Sequence, residues 1–465
     1  MSPALVPRVV KPVSESVINN LNVAKFGGTS VANFAAMENC AQIIKNNPQT
    51  KVVVVSASAG VTNLLVDIAH SALSKQQIQE KLLEIDNVQQ AILQLLNNQS
   101  AVAAKLQQLQ HSLTELAMHE ELLHRSDLKD ALLSHGERMS SLLFSAVLNQ
   151  NDVAAENFDV RKVLKTDSEF GQAAPNLEQI EIAAKHIMLP AIAKHVLVTQ
   201  GFVGADEQGK TTTLGRGGSD FTAALLAEAI NAKTCEIWTD VIGVYTTDPR
   251  ITEAARPLPE LSFEEAAEMA TFGAKVLHPA TMEPALRQNI KVFVGSSREP
   301  EKGGTWIARD CENEPSYRAI TRRKEQVMLT VKTPKMMYAQ GFLQKVFTII
   351  AKHKLSVDLI TTSEISVSFT LDNPANSVLE RLNIETIEEL SQFCEVLVEE
   401  NYDLVTVVGN NMHSAAGVSS KIFAAVADYN LRMICYGANP HNLSMLVNDS
   451  DSRDVVCALH RDLIE

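Results

Sequence analysis

Long apolar runs are missing from this 465-residue sequence, and nothing in it approaches the ~20 residues that span a bilayer. Residues 1–20 mix prolines with polar side chains and lack the apolar stretch of a secretory signal, so they read as a loose leader. Cysteine is scarce. The six thiols, Cys40, Cys235, Cys311, Cys394, Cys435 and Cys457, form no C-x-x-C pair, which fits a reducing, cytoplasmic setting and buried inert side chains. Basic residues are outnumbered, 41 Lys and Arg against 55 Asp and Glu, for a net charge of −14. Charge of that sign argues against nucleic acid and anionic membranes as partners, yet leaves room for small anions gripped by a few local cations. With 45% hydrophobic and 21% charged residues the chain has the balance of a folded protein, and its length suggests about three domains.

Several short β-rich runs end in small or polar residues. Leu21–Phe26 meets Gly27-Gly28-Thr29-Ser30, Lys51–Val55 meets Ser56-Ala57-Ser58-Ala59-Gly60, and Val196–Val198 leads toward Gly201. Cys235–Trp238 meets Thr239-Asp240, and Ile290–Val294 meets Gly295-Ser296-Ser297. Helical patterns separate these runs, which predicts an α/β fold with a largely parallel, doubly wound sheet and ligands beyond the carboxyl ends of its strands. Residues 76–149 read as helical, with a break at Asn97–Ser100 and an apolar stripe of Leu83, Ile85, Val88, Ile92, Leu95 and Leu96.

The C-terminal part repeats itself. Leu329-Thr330-Val331 matches Val405-Thr406-Val407, Gly341 matches Gly417, Lys345 matches Lys421, Phe347 matches Phe423, Leu355 matches Leu431 and Val367 matches Leu443, every pair 76 positions apart. Each copy reads strand, Gly-led helix, strand, strand, so two related α+β modules are expected.

Gly204–Thr211 satisfies G-x-x-x-x-G-K-T, but a phosphate loop must run straight into a helix, and here Thr212-Thr213-Leu214-Gly215-Arg216-Gly217-Gly218 follows. Asp206 and Glu207 would also repel phosphate, so the segment is expected to be a polar turn between strands, with a phosphate-loop kinase as the weaker alternative.

Other segments carry more chemistry. Lys25 stands at a strand end before Gly27 and Gly28, whose backbone N–H groups can approach an anion. Thr213–Asp220 places three glycines around Arg216, and Ser219 or Asp220 can cap the helix that follows. A guanidinium there can clamp a carboxylate through two parallel bonds. Trp238–Arg250 offers a nucleotide pocket with Tyr245 beside the base and Arg250 near the phosphates. Lys275 supplies a further cation, His278 before a proline reads as structural, and Glu137 in Ser134-His-Gly-Glu can hold an ammonium.

In order and spacing, Lys25–Val31, Ser56–Asn63, Ser134–Glu137, Thr211–Thr222, Trp238–Arg250 and Thr271–Pro279 resemble the amino-acid kinase family, and within it the aspartokinases. The C-terminal repeat resembles their paired ACT domains. The resemblance implies a catalytic domain over residues 21–310, a first ACT module over 325–400 and a second over 401–465. It implies transfer of the ATP γ-phosphoryl group, with Mg2+, to the side-chain carboxylate of L-aspartate. By the same resemblance Lys25 and Lys275 neutralise phosphates and Asp220 organises the site. Arg216 takes the substrate α-carboxylate and Glu137 its ammonium, with Ser56, Thr62 and Ser219 adding hydrogen bonds. Gly27, Gly28, Thr239, Asp240, Tyr245, Arg250 and both lysines serve the nucleotide. A lysine effector site is implied at Met336, Ala339, Phe342, Leu343, Val357, Asp358, Thr362, Ser363 and Glu364. No second dinucleotide-binding domain is seen, so the monofunctional form is expected, assembled as a homodimer or higher homo-oligomer through its ACT modules. The chemistry agrees with this inventory: a carboxylate is already ionised at pH 7, so no general base is needed. A catalytically silent sensor of the same fold and a kinase of another acidic amino acid such as glutamate are the competing readings.

Overall fold

The computed structural model describes residues 20–465 apart from 216, 275–276, 278, 339 and 373–381. The chain forms two compact units, one from the chain up to Val244 with Pro259–Phe263 and Val276–Asp310, the other from Tyr245–Leu258, Glu264–Lys275 and Cys311–Glu465.

The first unit contains strands β1 (Asn22–Phe26), β2 (Thr50–Val55), β3 (Ala155–Asn157), β4 (Val196–Gln200), β5 (Val203–Ala205), β6 (Thr211–Thr213), β7 (Thr234–Thr239), β8 (Glu260–Ser262), β9 (Lys291–Ser296) and β10 (Gly304–Ala308). Eight of them form one sheet in the order β3-β4-β2-β1-β7-β9-β10-β8. Every pairing in it is parallel except β9 with β10. The run Thr-Lys-Val-Val-Val-Val of β2 is apolar without alternation because both faces are covered. Ala24, Phe26, Val53 and Val55 join a core with residues of helices Phe34–Asn46, Val61–His70 and His135–Gln150. Helix Gly218–Ala229 packs on β1, β2 and β7. Val23, Val52 and Val54, which alternate with that core set, are equally buried.

The expected helical stretch is real but divided, into Lys75–Leu93, Gln99–Ala117, Ser126–Leu133 and His135–Gln150, with the expected break falling before the second helix, where Asn98 holds the N-cap position without a side-chain hydrogen bond. The apolar stripe needs correction. Ile85, Ile92 and Leu96 are buried, whereas Leu83 and Leu95 are 60% and 56% exposed. Ile85 and Ile92 are seven residues apart and share a helix face; Leu83 sits two residues off it, about 200° around.

Gly204–Thr211 is a hairpin. β5 and β6 pair antiparallel, and Asp206 closes the turn by accepting from the backbone N–H of Gln208 and Lys210. The Lys210 ammonium is exposed and reaches Asp127 at 3.4 Å. No helix receives the turn, so no phosphate cradle forms. Lys210→Ala is expected to leave turnover within about threefold of wild type, since exposed ion pairs contribute little. A steady-state assay showing a hundredfold loss would revive the phosphate-loop reading.

The second unit contains β11 (Ala319–Lys332), β12 (Val357–Thr362), β13 (Ser366–Asp372), β14 (Glu395–Val408), β15 (Leu431–Tyr436) and β16 (Asn442–Asn448), in one antiparallel sheet of order β12-β13-β11-β14-β16-β15. The 76-residue repeat is visible in detail. Thr330 Oγ1 lies 2.8 Å from Ser368 Oγ, and Thr406 Oγ1 lies 2.8 Å from Ser444 Oγ. Gly341 and Gly417 each open a helix with φ of 82° and 84°, a conformation natural only to glycine.

The two copies interlock rather than follow one another. β11 and β14 are each 14 residues long and serve both copies. Gln326–Lys332 pairs with β13 and with Glu395–Tyr402, whereas Ala319–Arg323 pairs with Leu404–Val408, across a register break between Arg323 and Gln326. The second copy thus draws its fourth strand from residues upstream of the first. The expected borders at 325 and 400/401 fall inside these shared strands. Residues 245–258, expected within the catalytic domain, fold with the second unit. The Thr246 carbonyl accepts from the Ile320 N–H at 2.8 Å, its hydroxyl is hydrogen-bonded to buried His460 at 2.9 Å, and Ile251 joins the core of helices Val418–Ala425 and Ser452–Leu463.

Candidate active site

Three strand ends of the first unit carry the expected site. β1 delivers Lys25, flanked in register by Val54 of β2 and Ile237 of β7. The chain then turns through Gly27, whose N–H donates to the Trp238 carbonyl at 3.1 Å, and Gly28, whose carbonyl accepts from the Ala59 N–H at 3.1 Å. A Cβ on Gly28 would lie 2.8 Å from the Ala57 carbonyl oxygen, so only glycine permits this approach of the two loops.

Lys25 faces the helix Gly218–Ala229. Its ammonium meets Asp220 Oδ1 at 2.6 Å, with side chains only 11% and 14% exposed. The cap expected from Ser219 or Asp220 is not used. Gly217, at φ 75°, is the N-cap, the helix starts at Gly218, and Asp220 turns to the lysine instead. A buried ammonium needs a counter-charge more than the first turn needs a side-chain cap. Ser219 sits against Gly201 after β4, where a Cβ would come 2.9 Å from the Ser219 Cα.

Glu137 enters from the helix His135–Gln150. Its Oε1 accepts the Ala57 N–H at 3.0 Å, and it is 4% exposed. Gly136 makes this possible, since a Cβ there would lie 2.7 Å from the Ala57 Cβ. Burial pushes the Glu137 carboxyl up to about 8, opposed by the Ala57 N–H and by the charge of Lys25. Ser56 is half-buried, its carbonyl accepting from Ser140 Oγ at 2.8 Å, and Thr62 is exposed in the first turn of helix Val61–His70. At the end of β7, Thr239 donates to Asp240 at 3.2 Å and its carbonyl accepts from the N–H of Ser297, while Ser297 Oγ lies 2.6 Å from Ser30 Oγ.

Lys25, Gly27, Gly28, Ser56, Thr62, Glu137, Ser219, Asp220, Thr239 and Asp240 thus belong to one unit. Tyr245 and Arg250 belong to the other, where Arg250 is engaged by Asp248 through paired bonds of 2.9 and 2.7 Å. Arg216, Lys275 and Ala339 lie outside the described residues, as do His278 and residues 1–19 of the leader. Asp130 was missed. It is 2% exposed on helix Ser126–Leu133 and accepts three hydrogen bonds, yet it sits in a stretch that reads as an ordinary amphipathic helix.

In the second unit Phe342, the first residue of the Gly341-led helix, is buried, Met336 and Val357 pack on the same core, and Leu343 is 40% exposed. Thr362, Ser363 and Glu364 are exposed at the end of β12. Asp358 has an ion pair of 3.0 Å with Arg323, so any cationic ligand there contends with a guanidinium. In the other copy Asn439 and Asn442 both donate to Glu268, and Arg432 pairs with Glu399 at 2.6 Å.

The sequence profile of the amino acid kinase family matches residues 20–296, and that of an ACT domain matches residues 405–463. The chain belongs to the amino acid kinase family. Within the family it belongs with the aspartokinases. It is 48% identical over 450 residues to the lysine-sensitive aspartokinase 3 of Escherichia coli (strain K12), covering 96% of this chain and 100% of that one. It resembles the crystal structure of E. coli aspartokinase III in complex with aspartate and ADP (R-state) with a TM-score of 0.88. Against the same enzyme in complex with lysine and aspartate (T-state) the TM-score is 0.82. Both structures are 48% identical and cover 96% of this chain and 100% of theirs. The expected fold, a largely parallel sheet followed by ACT structure, is the aspartokinase fold.

Proposed function

We propose that this aspartokinase-family chain transfers the γ-phosphoryl group of ATP to the side-chain carboxylate of L-aspartate, the first step of aspartate-family amino-acid biosynthesis, and is inhibited by lysine. The observation that carries the site assignment is the buried Lys25–Asp220 pair at the end of β1, in the same unit as buried Glu137. Lys25 steadies charge on the transferring phosphoryl group, and Asp220 holds the ammonium in place. Gly27 and Gly28 let backbone approach the phosphates. Glu137 takes the substrate ammonium, Arg216 its α-carboxylate, and Ser56, Thr62 and Ser219 hydrogen-bond the rest. Thr239, Asp240, Tyr245, Arg250 and Lys275 serve the nucleotide. The nucleophile is already an anion, so the work is positioning and electrostatics.

Magnesium is the proposed second cofactor. Among the described residues no three His, Cys, Asp or Glu side chains gather as a metal cluster. The carboxylates of Asp220 and Asp240 are hard oxygen donors, which fits an ion carried mainly by phosphates and water. When bound, it neutralises phosphate charge. No helix among the described residues is long and apolar enough to cross a membrane, and the cytoplasmic setting is likewise a proposal. Exposed apolar Met337, Leu343, Ile360 and Leu397 on the first ACT copy support assembly as a homo-oligomer through the ACT modules.

A coupled ADP-release assay with aspartate and with glutamate tests the function; turnover of aspartate is expected, and glutamate alone as substrate would sink the reading. In that assay Arg216→Ala is expected to lower kcat/KM for aspartate roughly tenfold to over a hundredfold, the ~1.5–3 kcal/mol of a charge-assisted bond. An unchanged value removes Arg216 from the substrate site.

Lysine inhibition is expected to act through the first ACT copy. The Gly341-led helix offers its N-terminus to the effector carboxylate, and Asp358 with Glu364 offers charge to its ammonium groups. Asp358→Ala removes one of the two acids offered to the effector ammonium groups and is expected to raise the lysine concentration for half-inhibition at least about tenfold, within the ~1–3 kcal/mol of typical coupling. Inhibition by threonine but not lysine, or full lysine sensitivity in both Asp358→Ala and Glu364→Ala, contradicts the assignment.

A further inference from the structure

Two pieces of backbone meet at Asp130. Its Oδ2 accepts the N–H of Thr213, the last residue of β6, at 2.7 Å, and the N–H of Gly171 at 2.9 Å. Its Oδ1 accepts the Thr213 hydroxyl at 3.0 Å. The Ala173 N–H donates to the Thr213 carbonyl at 2.9 Å, closing the junction from the other side. Immediately beyond Thr213 runs the glycine loop that contains Arg216 in the sequence, with Gly215 and Gly217 at φ 76° and 75°. A Cβ on Gly215 would lie 3.1 Å from the Gly171 carbonyl oxygen, so this loop is laid against the segment that Asp130 holds. Asp130 lies inside helix Ser126–Leu133, which meets the Glu137 helix His135–Gln150 at Ser134, and its carbonyl accepts the Ser134 N–H at 3.0 Å. Burial raises the carboxyl to about 6, and the three donors oppose that rise, so the group is held at an electrostatic penalty that a surface residue would not bear.

Resting on the aspartate reading above, we propose that Asp130 is a positioning residue for the amino-acid substrate, fixing the start of the Arg216 loop relative to the helix that carries Glu137. Aspartate presents an α-carboxylate and an ammonium on one carbon, so their two receptors must keep a set separation. Asp130 touches neither group of the substrate; it sets where their receptors begin. The nucleotide residues Thr239 and Asp240 lie after β7 and share no hydrogen bond with it. Loss of the carboxylate therefore acts on aspartate and spares ATP.

Asparagine discriminates charge from geometry. One amide oxygen can still accept both backbone N–H groups, and the amide N–H₂ can donate to the Thr213 hydroxyl, which rotates to accept. Alanine leaves two N–H groups and a hydroxyl without an acceptor. Asp130→Ala is expected to raise KM for aspartate about tenfold or more with KM for ATP within about threefold, and Asp130→Asn to stay within about threefold of wild type on both. An aspartate KM within twofold of wild type in Asp130→Ala, or equal rises for both substrates, overturns the proposal. If Asp130→Ala does not fold, Thr213→Val removes one of the three bonds. It is expected to raise the aspartate KM roughly threefold with the ATP KM unchanged, and an unchanged aspartate KM overturns the role. Wild-type turnover is measured first: no turnover of aspartate sinks the kinase reading itself, whereas normal turnover with unaffected variants sinks only Asp130.

Discussion

Lys25→Met is expected to lower kcat by roughly 10²–10³-fold, the loss typical when one preorganised donor to a developing charge is removed. The same change strips Asp220 of its partner inside a poorly exposed pair, 11% and 14%. An orphaned buried carboxylate destabilises by about 3–5 kcal/mol, so the melting temperature should drop as well. A second substitution separates the two effects. In Lys25→Met/Asp220→Asn the buried charge is gone, and stability should return toward wild type while kcat stays low. Recovery of turnover together with stability would show that Lys25 only balances Asp220 and does not act on the phosphates.

Glu137→Gln is expected to cut kcat/KM for aspartate about a hundredfold or more, because breaking a buried charge pair removes about 3 kcal/mol or more. The pH behaviour is the sharper test. With its pKa raised to about 8, Glu137 in the free protein remains largely protonated at neutral pH, whereas the unfolded chain ionises near the ordinary value of ~4.3. Between those values the folded state binds more protons than the unfolded state. Stability is therefore highest below the unfolded value, falls as pH rises with a slope of at most about 1.4 kcal/mol per unit, and levels off above the folded value. Glu137→Gln should lose that slope and be more stable than wild type at pH 8 without substrate. Aspartate reverses the balance, since an ammonium beside Glu137 favours the carboxylate. Its binding at pH 6–7 should release close to one proton and tighten toward pH 8, which calorimetry in two buffers of different ionisation heat measures directly. Binding with no proton release would place the ammonium elsewhere.

The catalytic half was readable where its signals are local. A lysine ending a strand, glycines that open a loop, and a glycine–arginine–glycine run before a helix can each be recognised within a few residues, because each requirement is met by neighbours along the chain. Gly217 illustrates the limit. That a helix follows the glycines was visible, but neither Gly217 as its N-cap nor the destination of Asp220 was, since the cap competes with a lysine 195 residues away. The decoy at Gly204–Thr211 was also local, as no helix-forming stretch follows it.

The apolar stripe shows a different kind of error. Counting apolar residues placed Leu83 beside Ile85, while helical geometry puts them on nearly opposite sides, so packing buried one and exposed the other. Arg323 and Asp358 show a third, for nothing within either segment announces that a strand shared by both ACT copies brings a guanidinium to that carboxylate.

Family and two-part architecture were therefore legible in residue type, short spacing and a 76-residue repeat, and the chemistry proposed for the site starts from the same features, all of which are properties of the chain as a string. Three-dimensional packing was needed for the rest: the shared strands β11 and β14, the return of residues 245–258 to the second unit, and the burial that gives Glu137 and Asp130 their raised carboxyls. Strand pairing and desolvation depend on partners tens to hundreds of residues away. Such partners impose no period and no motif on the segment itself, and they become visible only when the chain is closed on itself.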